Sequence, residues 1–172
     1  FEIKDERLLS NIPSGVEIWK RPIWEPYTLK DKLLGKENKT QSSGVVSNKK
    51  SLKNRFLNWV RGNAFIPDPK VYWVKPSVQY LLNKIKKHKI KHIITTGPPH
   101  SMHLIGLALK KAMPNLKWIA DFRDPWSELD LLSEFHLSNS TRKKHKKLEK
   151  EVLENSDTTL TVSETWAEDL KR

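Results

Sequence analysis

Apolar side chains return along this chain at two spacings, and the second half holds them in the more regular order. In VYWVKPSVQYLLNKIKKH, residues 71–88, Val74, Val78, Leu81, Leu82 and Ile85 recur at intervals of three and four, which predicts an amphipathic helix. Pro76 suits its first turn. HIITTG, residues 92–97, is a β-branched run closed by glycine and reads as a strand. PPHSMHLIGLALKKAM, residues 98–113, opens on prolines suited to a first helical turn and carries Leu104, Leu107 and Ala108. KWIADF follows as a second strand. A charged helix is expected around 139–155, with Leu148, Val152 and Leu153 as a thin apolar stripe. TLTVS, residues 159–163, reads as a third strand, and SETWAEDLKR begins another helix. Strands and helices alternating at such intervals predict an α/β domain, a Rossmann-like parallel sheet flanked by helices.

The first third is less regular. GVEIW, residues 15–19, is a short strand candidate closed by KRPIWEP. Residues 30–55 are polar and basic without a sustained period, and are expected to form a flexible insertion. Phe56, Trp59 and Val60 fall at helical spacing, with Gly62 and Asn63 expected to end that run.

Composition narrows the choices further. The chain has 172 residues, enough for one domain with a hydrophobic core, and is 37% hydrophobic and 30% charged. Its formal charge of +12 favours polyanions, whether nucleic acid, anionic headgroups or phosphorylated substrates. It has no cysteine, hence no disulfide framework and no thiolate metal site, which suits a reducing cytoplasmic setting. No run approaches the roughly 20 apolar residues that span a bilayer. The chain starts at Phe1 and stops within an amphipathic pattern, so it reads as a piece of a longer protein.

In open parallel sheets, ligands bind beyond the carboxyl ends of the strands. TTGPPHSMH, DFRDPW and VSE put polar residues at three such ends. Gly97 allows a tight turn, and the helix after it turns its positive end to the same edge, favouring an anionic or hydroxyl-rich ligand. His100 and His103 lie three apart near that end, where the dipole keeps imidazole neutral; they either meet ligand hydroxyls or cap the turn. A zinc pair fits poorly, because helical metal sites space histidines by four and add a carboxylate. Strand alternation sends Asp121 and Arg123 to one face, as an ion pair or as site residues. Asp124 before Pro125 is either a helix cap or a base. Trp126 is either core or a platform for a sugar. The basic runs KIKKHKIK and RKKHKK are solvated helix faces, or surfaces for membrane or nucleic acid, and no aromatics interleave with them.

GNAFIPDPKVYWVKPSV, TTGPPHSMH, WIADFRDPW and TLTVSE, in this order, resemble the N-terminal domain of family-4-like glycosyltransferases of GT-B architecture, nearest to bacterial members that build surface polysaccharides. The likeness covers most of residues 54–172 and, more loosely, 8–27. It implies a retaining transferase without cofactor or metal. The nucleotide-sugar donor would sit on a C-terminal domain, and a glycan or lipid-linked acceptor on the N-terminal one. Residues 1–172 would then be an acceptor-side fragment lacking the first β-α unit and the donor domain, inactive alone, cytoplasmic and peripheral on an anionic membrane. Carried over by motif, Arg123 stands near the reacting sugar with Asp121 and Asp124 beside it as catalytic candidates. Gly97, His100, Ser101, His103, Trp126 and Ser163 would line the acceptor side. Arg123 stands where relatives place a histidine or an arginine; arginine instead of histidine removes a proton shuttle and keeps a fixed charge. The reading from a different class is a basic nucleic-acid-binding module; the transferase reading involves no nucleic acid.

Overall fold

The computed structural model describes residues 11–23, 59–128 and 135–171. The expected insertion at 30–55 and the helical position Phe56 lie outside them. After helical residues 59–64 and a 3-10 turn at Pro69–Trp73, the elements run α1 (Val74–His88), β1 (His92–Gly97), α2 (Ser101–Ala112), β2 (Lys117–Phe122), α3 (Asn139–Asn155), β3 (Thr158–Thr161) and α4 (Glu164–Leu170). The three strands form one sheet in the order β1-β2-β3, parallel throughout. The α/β reading with a parallel sheet flanked by helices therefore holds. No helix among the described residues is long and apolar enough to cross a membrane.

Each helix ends for a local reason. Lys89, in the left-handed region at φ 53°, closes α1 by turning its N–H to the Ile85 and Lys86 carbonyls. Ser138 caps α3 by accepting from the Thr141 N–H, and Ser163 caps α4 by accepting from Trp166. The start of α2 differs from expectation. Pro98 and Pro99 lie in the connecting turn, and the helix begins at Ser101, whose N–H donates to Asp68 Oδ2 at 2.8 Å.

Strand alternation gives the sheet two unlike faces. Trp118, Ala120 and Phe122 point inward and join Leu107, Trp126 and Val152 in the main core. Phe122 and Val152 are fully buried, each contributing on the order of 1.5–3 kcal/mol. The α1 stripe read from the sequence packs where expected: Ile85 is buried, and Val74, Val78, Leu81 and Leu82 pack on a second cluster with Ile105, Leu109 and Leu116. On the opposite face of the sheet, Ile94 and Leu160 are exposed, as is Val162 just past β3.

Two expectations need correction. Residues 15–19 form no strand: they lie along α1, where Glu17 meets Lys84 and Trp19 meets His88, instead of pairing with a sheet edge. Gly62 and Asn63 do not end their helix, which runs through residue 64. Gly62 is needed for close approach, since a Cβ there would sit 2.6 Å from Leu137 and Phe135 side-chain atoms. Asn63 Oδ1 accepts from the Ser138 N–H and the Thr141 hydroxyl, tying the start of α3 to this helix.

Candidate functional site

Parallel pairing aligns the carboxyl ends of the strands. Gly97 sits opposite Phe122, and Phe122 opposite Thr161, so the segments beyond them share one rim. Two bonds hold the first two tips together: the Arg123 N–H donates to the Gly97 carbonyl at 3.1 Å, and Arg123 Nη2 donates to the Pro98 carbonyl at 3.2 Å. Asp121, half-buried, accepts from the Thr96 hydroxyl at 2.6 Å across the strand pair. Asp121 and Arg123 make no ion pair with each other; each is held by β1 or the turn after it. Asp124 is exposed and caps no helix among the described residues.

The residues singled out from the sequence divide into two groups. Arg123, Asp124 and Ser163 are exposed on the rim, with Asp121 partly so. Gly97, His100, Ser101, His103 and Trp126 are buried beneath it. There the rings form a stack: His100 lies 5.0 Å from Trp126 with the planes 4° apart, and His103 lies 4.4 Å from Phe122 at 17°. Gly97 makes room for both imidazoles. A Cβ on it would be 2.6 Å from His103 Nε2 and 3.2 Å from His100 Nδ1.

Hydrogen bonding fixes the proton on one of these rings. An indole N–H only donates, so His145 Nδ1 accepts from Trp126 Nε1 at 3.1 Å, leaving Nε2 protonated. By the same rule Thr95 Oγ1 accepts from Trp118 Nε1 at 2.9 Å, and it shares a second hydrogen bond with His103 Nδ1, also at 2.9 Å. Burial pushes His100 down to about 3, reinforced by His103. The Pro125 carbonyl offsets part of this without reaching hydrogen-bond geometry. Burial also pushes His103 and His145 down to about 4, with nearby Asp121 opposing the shift at His103 and Lys144 adding to it at His145. All three are neutral at pH 7, as their place among aromatic rings requires.

Three residues here escaped the sequence. Asp68 takes the Ser101 N–H, while Met102 and His103 donate to the Pro99 and His100 carbonyls. The first turn of α2 thus has its amides engaged within the chain, unlike the open anion cradle expected from the sequence. His145 and Glu149, one turn apart on the buried side of α3, fasten the DFRDPW turn. His145 takes Trp126, and Glu149 accepts from the Ser127 N–H at 3.3 Å and from the Ser127 hydroxyl. A histidine and a glutamate four apart on a lysine-rich helix gave no sign of this.

Beside the rim, between α3 and α4, runs a groove of about 1040 Å³. Pro125, Leu153 and Trp166 give it an apolar side, Glu149 and Lys146 a charged one, and Ser163 borders it. Among the described residues no cluster of three or more histidine or carboxylate groups is arranged to hold a metal ion. What the rim offers chemically is a fixed guanidinium, two carboxylates and a hydroxyl at the end of a parallel sheet. Comparison with family models, curated proteins and solved structures finds no match to this chain.

Proposed function

We propose that this chain is the acceptor-side domain of a retaining, GT-B-type glycosyltransferase that receives a glycan or lipid-linked acceptor at the carboxyl ends of its strands. The observation that supports this most is the exposed rim of Arg123, Asp121 and Asp124 at the tips of parallel strands, where ligands of such sheets bind. In this reading Arg123 supplies a permanent positive charge to a diphosphate or to a developing anion. Asp121, steadied by Thr96, and Asp124 accept hydrogen bonds from sugar hydroxyls. The donor nucleotide-sugar belongs to a second domain facing this rim. His100, His103 and Trp126 act from beneath, as the floor that sets the position of the Arg123 turn. Dehydration of the rim on closure strengthens each of these contacts.

The test is a titration of ¹⁵N-labelled protein with a soluble sugar-diphosphate-lipid analogue. Amides of Thr96, Gly97, Arg123 and Ser163 are expected to shift, and Arg123→Ala to weaken binding about tenfold or more, the range for a charge-assisted contact. A titration that leaves those amides unmoved while shifting residues elsewhere overturns the reading.

A further inference from the structure

We propose that residues 16–23, laid along the C-terminal half of α1, form a docking surface for an anionic lipid bilayer. Within this segment the side chains of Glu17, Trp19 and Arg21 face the helix. Glu17 lies 3.9 Å from Lys84 Nζ, and Lys84 Nζ lies 4.5 Å over the Trp19 ring. Trp19 is 5.0 Å from His88, and the Arg21 guanidinium is 5.0 Å over Tyr80. That arrangement turns Val16 and Ile18 outward, 56% and 49% exposed, with Lys20 beyond them and Ile23 exposed at the end.

The helix underneath supplies the charge. From Pro69 to Ala120 the chain holds lysines but not one Asp or Glu. Lys110, Lys111 and Lys117 of this stretch meet Asp157 or Glu151, and Lys84 meets Glu17. Lys86, Lys87, Lys89 and Lys91 form no salt bridge among the described residues, Lys87 acting on Glu17 only through space, and all four are exposed. A solvated helix face would account for the lysines alone. It does not account for two outward aliphatic side chains set beside them, a combination that suits shallow insertion between headgroups with cations at the phosphate level. The same combination disfavours nucleic acid. Phosphate contacts leave exposed valine and isoleucine without a partner, and the one tryptophan here is turned inward, away from any base. Lys89 and Lys91 lead into β1, at the end of the sheet opposite the strand tips, so this surface stands whether or not the rim handles sugars.

The test uses the 172-residue chain with vesicles of phosphatidylcholine, with and without about one third phosphatidylglycerol, near 0.1 M salt. Sedimentation with the anionic vesicles alone is expected, and Lys86→Glu/Lys87→Glu/Lys89→Glu should weaken it by well over tenfold, at about fivefold per cation. Because the protein has no cysteine, Ile18→Cys carries a single environment-sensitive dye, expected to shift to the blue on binding. The same label at Lys143, on the other basic run, should stay unshifted. If a charge variant fails to fold, the labelled proteins still decide. Absence of binding to anionic vesicles, a shift at position 143 as large as that at 18, or preference for a DNA duplex over vesicles at equal salt overturns the proposal.

Discussion

Gly106 stands in the middle of α2, where alanine is ordinarily the better residue by about 1 kcal/mol. Here a Cβ would fall on the indole of Trp118, a fully buried ring that also donates to Thr95. Such a ring has nowhere to move, and overpacking of this kind costs about 1–3 kcal/mol. Gly106→Ala is therefore expected to lower stability by about that amount net of the propensity gain, read as a lower urea midpoint at unchanged slope. A neutral or stabilising result would mean that the indole yields. The same ring shows what a linear reading misses. Trp118 reads as an apolar strand residue, which it is, but its N–H also reaches the Thr95 hydroxyl and through it His103, a chain of contacts that joins β2, β1 and α2.

The helices and strands were largely legible, because each signal for them is local. Periodicity placed α1 and α3, a β-branched run placed β1, and short apolar or threonine-rich runs placed β2 and β3. Failures came where a partner distant in sequence decided the outcome. GVEIW alternates like a strand, but a strand needs a neighbour, and residues 15–19 met a helix instead. The start of α2 was misread because its cap, Asp68, is 33 residues away from Ser101. Asp68 also accepts from Lys70 N–H at 2.9 Å, so one carboxylate begins both the 3-10 turn and α2. Asp68→Ala should cost about 1–2 kcal/mol and raise amide exchange through the first turn of α2, whereas Asp68→Asn should recover much of the loss. Equal loss in both variants would show that charge, not capping, is what matters. The strand tips were legible as a set, but not which members would be exposed: burial of His100 and His103 follows from the ring stack, and nothing in the local spacing announces Trp126 and Phe122 as its other half.

Acid acts on the molecule through three histidines packed around one turn. His100, His103 and His145 have folded values near 3 to 4, below the ordinary 6.5, so between those limits the unfolded chain takes up protons that the native protein refuses. Stability is thus complete above about pH 6.5 and falls as pH drops toward 4, by up to about 1.4 kcal/mol per pH unit for each histidine. Urea melts at pH 7, 6 and 5 should show a steepening loss; a flat profile would mean that these rings are hydrated. At the far end of the sheet, Asp157 is held well below the usual carboxylate range by Lys110, by the Trp118 N–H and by Lys117. Its contribution persists until the pH falls below the ordinary carboxylate value. The two ends of one three-stranded sheet therefore fail at different acidities. On gradual acidification the strands should unzip directionally, their carboxyl tips loosening first while the opposite end stays fastened. In hydrogen exchange corrected for intrinsic rate, Arg123 should lose protection by pH 5 and Trp118 should keep it, so that mild acid would erase the rim while the rest of the fold survives.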